Sequence, residues 1–230
     1  MVDPVTATAL PVPGSTERTR VRRLAEHAVN DRAALNHVLD AGLVAHVTVQ
    51  DDAGQPYVIP VAFARRGDQV LFHGSTGSRL FRGLADGQPT CLTVTLLDGL
   101  VLALSAFESS MNYRSAMVIG VAQRLSGDDE LDALRCITEH LLPGRWDDCR
   151  QPTAKERAAT LTLALPLDEC SVKIRSGGPD DDPDDLADAS LAHLWSGTVP
   201  LHESFGTPVR ADHCLAETIV PSYVDGWQRS

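Results

Sequence analysis

The sequence predicts a mostly β fold with flanking helices, in which at least six antiparallel strands close into a barrel or pack as a sandwich. Two observations lead to this prediction. Short runs rich in β-branched residues alternate with tight-turn signals between residues 43 and 125. The connections between most of these runs are too short for the crossover helices that parallel strands need. A chain of 230 residues can also bury the core of such a fold.

The first predicted elements are helical. Residues 18–29 carry apolar residues at helical spacing. Asp31 can cap a second helix, and Gly42 can end it. The two segments form either two helices or one bent helix.

The predicted strands then follow one another along the chain. Residues 51–54 and 66–68 are turn signals, and Asp98-Gly99 predicts a hairpin between the fourth and fifth strands. Ser78 can cap a short helix between the third and fourth strands. The strands are expected at residues 43–49, 57–64, 70–73, 90–96, 100–107 and 113–125.

Fewer strands are predicted after residue 125. A helix is expected over residues 127–142, a capping box at Thr153 and Glu156 predicts a second helix, and strands are expected at 160–165 and 171–175. The acidic run 179–188 predicts a solvated loop. We expect three parts: a flexible leader (1–19), one domain with helical additions (20–205), and a tail (206–230) that wraps the domain or a partner subunit.

Composition excludes several functions. The net charge of −11 argues against nucleic-acid binding, and no apolar run approaches the ~20 residues of a membrane span. Five scattered cysteines without a Cys-x-x-Cys pair fit a reducing, cytoplasmic location. The histidines show no metal-ligand spacing, so no metal site is expected.

Residues 74–79 (GSTGSR) are the strongest candidate for an anion site. Small residues before a helix leave backbone N–H groups free, and hydroxyls and an arginine can hold phosphate oxygens. The alternative is a capped helix with a glycine-rich entry. Two further residues stand out: Pro60 places its strand at an edge or a bulge, and Arg114 at the start of a buried strand needs a carboxylate, a phosphate or solvent as its partner.

Several segments together resemble a known family. Residues 57–63 (YVIPVAF) and 70–75 (VLFHGS), then Arg79, then 111–120 (MNYRSAMVIG), follow the order typical of pyridoxamine 5'-phosphate oxidase-like proteins. The branch they resemble is the flavin-nucleotide-binding group that includes nitroimidazole-resistance proteins. Residues 143–146, 172–175 and 195–201 extend the similarity. The tail 227–230 lacks the basic residues that hold the substrate phosphate in true oxidases, so oxidation of pyridoxamine phosphate is not expected.

The resemblance implies an FMN-binding, six-stranded split β-barrel that forms a homodimer with FMN between the subunits. It implies an oxidoreductase that passes electrons through FMN to a small organic acceptor, such as a nitro compound or a quinone. Arg79 is the expected phosphate clamp, Arg114 is expected to brace the pocket or the dimer seam, and His73 is a candidate catalytic residue. The implied cofactor-binding residues are Ile59, Pro60, Val61, Phe63, His73, Ser75, Thr76, Ser78, Arg79, Asn112, Tyr113 and Arg114.

Two alternatives share this fold. One is a reductase that uses the deazaflavin F420, a longer and more acidic cofactor. The other is a flavin-binding sensor or store without turnover. The same pocket serves all three functions, so the residues alone do not separate them.

Overall fold

The computed structural model describes residues 11–227, so the expectations for residues 1–10 and 228–230 lie outside the described residues. Within that range the strands are β1 (Val44–Gln50), β2 (Pro56–Arg66), β3 (Gln69–Ser75), β4 (Pro89–Leu102), β5 (Ser110–Val121), β6 (Gln123–Arg124), β7 (Thr160–Pro166), β8 (Glu169–Arg175) and β9 (Gly197–Pro200). The α-helices are α1 (Arg32–Ala41), α2 (Arg79–Ala85), α3 (Gly127–Leu141), α4 (Ala154–Ala158) and α5 (Pro183–Ala187).

The strands form one curled antiparallel sheet. Their order is β6-β7-β3-β2-β1-β4-β5-β8, and β9 pairs with β4. Strand β5 lies near one end of this order and continues through Ala122 into β6, which lies at the other end. The chain itself therefore joins two distant parts of the sheet. A Cβ atom on Gly120 of β5 would lie 3.1 Å from Leu165 Cδ1 of β7, which places these strands against each other across the interior. The mostly β split barrel is therefore confirmed, with nine strands in the described residues rather than six.

The main core fills the concave side of the sheet. Phe63 and Phe72 are fully buried there, together with Leu35 of α1 and Leu84 of α2. Asp31 caps α1 as predicted, since its carboxylate accepts hydrogen bonds from the next helical N–H groups. Burial of large apolar side chains contributes about 1.5–3 kcal/mol each, so this cluster dominates the stability of the fold.

A second, smaller core lies on the convex side. Ala64 of β2, Leu71 of β3 and Ala164 of β7 pack there against Ala133 and Ile137 of α3. Side chains alternate between the two faces of a strand, so His73 lies on the same face as Leu71, beside α3. This placement decides what surrounds His73.

The helix predicted at residues 18–29 is wrong. The segment holds only a 3-10 turn at Ala25–His27, and Leu24, which precedes it, has a left-handed φ of 53° and is 51% exposed. The backbone of Val29 instead donates to the carbonyl of Val172 in β8. Pairing with a distant strand therefore overrides the local apolar spacing.

The hairpin predicted at Asp98-Gly99 is also wrong. Residues 89–102 form one strand, β4, with a register shift between Leu97 and Gly99. The extra residue is a β-bulge, in which turn-forming residues bend a strand without ending it. A Cβ atom on Gly99 would lie 2.8 Å from the carbonyl oxygen of Val199, so glycine permits the close approach of β9.

Two smaller differences concern the strand and loop after residue 113. The predicted strand 113–125 divides at Ala122, where the chain leaves β5 and enters β6. The acidic run contains a short helix, α5, because Asp182 caps it and Pro183 occupies its first turn. The prediction that residues 179–188 form a solvated loop throughout is therefore wrong in part.

Candidate functional site

Strands β2 and β3 separate along part of their length. The two strands pair only from Phe63 to Arg66 on β2 and from Gln69 to Phe72 on β3. Beyond this point residues 56–62 pair with β1 alone, and residues 73–75 pair with β7 alone. The two strands therefore present backbone groups to a gap between them. A flat ligand could be bound there by backbone hydrogen bonds.

Pro60 lies on the β2 side of this gap. It is paired with His46 of β1 in a continuous register, which confirms the edge position and excludes a bulge at this point. A proline has no N–H group to offer to a further strand. Ile59 and Val61 flank it and contact the main core, and Phe63 is fully buried. Buried Val61 and Phe63 could contact a ligand only through their backbone, whereas the ring of Pro60 is exposed.

The glycine-rich entry to α2 borders the other side of the gap. A Cβ atom on Gly74 would lie 2.2 Å from the Phe81 ring, so glycine is required for α2 to pack against β3. Ser75 Oγ accepts a hydrogen bond from the N–H of Gly77 at 3.1 Å, and the N–H of Thr76 donates to Ala159 at 3.0 Å. These N–H groups, which were expected to be free, are already bonded.

Ser78 and Arg79 have different roles at this helix start. Ser78 Oγ accepts from the N–H of Phe81, as the predicted cap. The Arg79 guanidinium is 64% exposed and lies 3.6 Å from a carboxylate oxygen of Asp51. The pKa of Asp51 is lowered mainly by the N–H of Gln55, and Arg79 is the smallest cause named. Asp51 is therefore stabilised largely without Arg79, which leaves that guanidinium available to an anion.

Arg114 has a carboxylate as its partner. Its guanidinium donates to both oxygens of Asp98, at 2.7 and 2.9 Å, and lies 3.3 Å from Nε2 of His37. The hydrogen bond to Asp98 is the largest cause that raises the pKa of Arg114. Of the three partners that the sequence left open, the structure selects the carboxylate of the β4 bulge.

Asn112 and Tyr113 lie beside Arg114 on β5. The Asn112 amide donates to the carbonyl of Gly177 and accepts from Arg175, so it ties β5 to the chain after β8. In the sheet order β1 and β4 separate β5 from β2. The predicted site residues therefore fall into two groups within one chain: residues 59–79 at the gap, and residues 112–114 on β5, with two strands between β5 and β2.

A cavity of about 670 Å³ lies next to Arg114. Its walls combine His37 of α1 and the Asp98–Arg114 pair with Phe205 and Trp227 of the C-terminal segment. The two aromatic rings meet edge to face, with centroids 3.9 Å apart. The sequence did not predict this cavity, because residues 201–227 have no periodicity and reach it through the tertiary structure.

A second cavity of about 290 Å³ lies at His73. It is open to solvent and is lined by Thr138 of α3, Trp146 and Cys149 after that helix, and Glu156 and Arg157 of α4. His73 is exposed at the mouth of this cavity, and the protein atoms around its ring lower the pKa of the imidazole by partial desolvation, which favours the neutral form at neutral pH. Among residues 11–227 no group of three or more His, Cys, Asp and Glu side chains could hold a metal ion. The same range contains no helix that is both long and apolar enough to cross a membrane.

Known proteins resemble the chain over most of its length. A family model described as pyridoxamine 5'-phosphate oxidase matches residues 31–174. The structure of the flavocytochrome Anf3 from Azotobacter vinelandii is 37% identical, covers 93% of this chain and 97% of its own, and has a TM-score of 0.84. A FAD and heme binding protein from Mycobacterium smegmatis is 40% identical over 86% of this chain and 95% of its own, with a TM-score of 0.80.

A more distant structure shares the fold alone. It is a putative 5-nitroimidazole antibiotic resistance protein from Bacteroides thetaiotaomicron, 21% identical over 64% of this chain and 86% of its own, with a TM-score of 0.54. No curated protein matches the sequence.

Proposed function

Because the chain belongs to the pyridoxamine 5'-phosphate oxidase family, we propose that it is a redox protein that binds a flavin nucleotide and a heme. The observation that carries this proposal is the similarity, over nearly the whole chain, to a flavocytochrome at 37% identity and to a FAD and heme binding protein at 40% identity. The similarity includes the C-terminal half, so it concerns more than the shared split barrel.

The gap between β2 and β3 supports the flavin part of the proposal. It offers backbone groups of residues 59–62, a helix start, and the weakly paired Arg79. These groups suit a flat polar ring and a phosphate, since arginine can hold two phosphate oxygens at once. Ser75, Thr76 and Ser78 form this end of the gap. Because their hydrogen-bonded groups have partners within the chain, Arg79 is the main charged group for a phosphate there.

We propose FAD as the flavin, because the relative at 40% identity is described as binding it. The resemblance implied FMN as the cofactor. FAD contains the same ribityl phosphate, so the role proposed for Arg79 does not change. When bound, the flavin would supply the hydride and electron chemistry. The chain would bind and orient it and exclude water, and electrons would pass to a small organic acceptor such as a nitro compound or a quinone.

A homodimer completes the proposal. Val44, Val58 and Leu97 are 49%, 63% and 38% exposed, and they lie on the convex face of β1, β2 and β4, outside the cluster that α3 forms with Ala64 of β2. Exposed apolar residues on one sheet face mark an interface. We propose that a second copy binds on this face and that the flavin lies between the subunits, as the resemblance implies. All five cysteines are free, which supports the cytoplasmic location expected from the sequence.

The test is to purify the protein from cells supplied with a heme precursor and to record its absorption spectrum. We expect flavin bands and a Soret band, each at about one cofactor per chain. Mass spectrometry of the released flavin separates FAD, FMN and a deazaflavin. Bound flavin that reduced nicotinamides do not reduce, together with no activity toward an acceptor, would favour the sensor alternative. Protein without flavin after reconstitution would overturn the proposal.

A further inference from the structure

A third cavity adjoins the phosphate end of the gap. It has a volume of about 290 Å³, is partly open to solvent, and lies between the end of β1, the turn that follows it, and α2. Arg79 belongs to its wall and also borders the gap, so the two places share one guanidinium. A ligand whose phosphate is bound by Arg79 can therefore continue into this cavity. The other lining residues are Gln50, Asp51, Asp52, Leu80, Arg82, Gly83, Asp86 and Gln88.

The cavity offers a second arginine next to the first. Arg79 and Arg82 are three residues apart on α2, which makes them neighbours on the helix surface. Nη1 of Arg82 donates to the carbonyl of Thr76 at 2.9 Å, and its other guanidinium N–H groups have no partner among residues 11–227. Arginines are suited to phosphate groups because they donate in a planar fork. Two of them side by side suit two linked phosphates.

The carboxylates of the cavity differ in their availability. Asp51 already accepts hydrogen bonds from the N–H groups of Ala53 and Gln55, at 3.0 Å each. The side chains of Asp52 and Asp86 make no hydrogen bond or ion pair within the described part of the chain. In dinucleotide-binding sites such free carboxylates accept hydrogen bonds from ribose hydroxyls. The cavity therefore combines phosphate-binding groups with sugar-binding groups.

Gln88 adds a buried amide without a partner. Its Oε1 atom is buried and makes no hydrogen bond, although buried polar groups are normally satisfied. The amide lies against α2, where a Cβ atom on Gly83 would be 2.5 Å from Oε1. Glycine within a helix costs about 0.5–1 kcal/mol relative to alanine, and here it makes room for this amide. A glutamine amide can pair with adenine, because it accepts from the amino group and donates to a ring nitrogen.

We propose that this cavity binds the adenylyl half of FAD, and that Arg82 and Gln88 make the protein prefer FAD to FMN. The inference rests on the proposed function, which supplies the flavin. Arg82 binds the second phosphate, Asp52 the ribose and Gln88 the adenine edge, while half-buried Leu80 offers an apolar surface to the ring. The volume is just below the usual range for a whole ligand, which suits half of a dinucleotide. FMN ends at the phosphate that Arg79 binds and reaches none of these groups.

The experiment measures the affinities for FAD and FMN separately. The full chain, freed of its flavin, is titrated with each flavin in a calorimeter, as wild type and as Arg82→Ala and Gln88→Leu. We expect wild type to bind FAD at least about tenfold more tightly than FMN, and each variant to lose about tenfold in FAD affinity with FMN affinity unchanged. Arg135→Ala is the matched control, since Arg135 is an exposed arginine of α3 that does not line this cavity, and it should change neither affinity.

Two readouts separate binding from folding. Unchanged FMN affinity shows that a variant is folded. The thermal midpoint of Gln88→Leu should not fall, because the Oε1 atom that is removed has no partner in the chain. Equal affinities of wild type for the two flavins, or equal losses for both in Arg82→Ala and Gln88→Leu, would overturn the inference and leave flavin binding intact. Wild-type protein that binds neither flavin would refute the proposed function itself, and this inference with it.

Discussion

Two arginines of this protein differ in how firmly they are held. Arg114 is bound to both carboxylate oxygens of Asp98, at 2.7 and 2.9 Å, and is 29% exposed. Arg79 lies 3.6 Å from Asp51 and is 64% exposed. A guanidinium that is already in a bidentate pair stabilises the fold, whereas a loosely paired one can bind a ligand. Arg114 therefore stabilises the fold, and Arg79 is the residue that we propose for binding.

The role of Arg79 can be tested with two flavins. In Arg79→Ala we expect the affinity for FAD or FMN to fall about 10- to 100-fold, since a hydrogen bond to a charged group contributes about 1.5–3 kcal/mol. The affinity for riboflavin, which has no phosphate, should stay unchanged. Fluorescence quenching on titration measures both. The exposed Arg22 is a control, because it pairs with Glu17 away from the gap. An equal loss for riboflavin would show that Arg79 does not bind the phosphate.

The role of the Asp98–Arg114 pair can be tested by a double-mutant cycle. Denaturant unfolding of Asp98→Ala, Arg114→Ala and the double variant should give a coupling free energy of about 1–3 kcal/mol, because the pair is partly buried and bidentate. The exposed pair of Arg20 and Glu17, separated by 3.6 Å, should give less than about 0.5 kcal/mol. Coupling as small as in this control pair would mean that Arg114 has another main partner.

Among the elements, α2 depends on one glycine more than on its cap. Gly74→Ala would place a methyl group where the Phe81 ring lies, 2.2 Å away. We expect a loss of about 1–3 kcal/mol in the free energy of unfolding, as for other overpacked cores. Gly77→Ala is the matched control, because its nearest neighbour would be Ser75 Oγ at 3.4 Å. Equal thermal midpoints for the two variants would contradict the described packing of α2.

Local signals predicted the elements whose causes are local. Asp31 and Ser78 cap helices as expected, and the turn after Asp51 joins β1 to β2. The bulge in β4 was not predicted, because Asp98-Gly99 has the composition of a hairpin turn. The strand continues past it through pairing with β5 and with β9, about 100 residues away. The helix predicted from the apolar spacing of residues 18–29 was wrong for the same reason, because the strand with which this segment pairs is distant in the sequence.

The candidate site was predicted in part. The resemblance implied that residues in the range 59–79 surround one site, and in the structure they border one gap. Which of their atoms contact a flavin stays a prediction. The partner of Arg114 was not predictable, because Asp98 reaches it only through the bulge. The cavity at Phe205 and Trp227 and the cavity at His73 both depend on segments that come together only in the folded chain.

At the scale of the whole molecule, the exposed convex face predicts how two copies associate. Val44→Asp should weaken the dimer at least about tenfold, because it places an unpaired charge in an apolar interface. We expect light scattering after size exclusion to show monomers, and flavin content to fall with them. Leu186→Asp is the control, since Leu186 is 66% exposed on α5, away from this face. A dimer that survives Val44→Asp would place the interface elsewhere.

The position of β7 has a consequence for how the chain is made. This strand lies between β3 and β6 in the sheet, although it follows them by more than 35 residues in the sequence. While the ribosome synthesises residues 1–159, the outer edge of β3 has no partner, and unpaired strand edges bind other chains. Closure therefore waits for residues 160–166 to leave the ribosome, and nascent chains that stall before this point are the ones most exposed to aggregation.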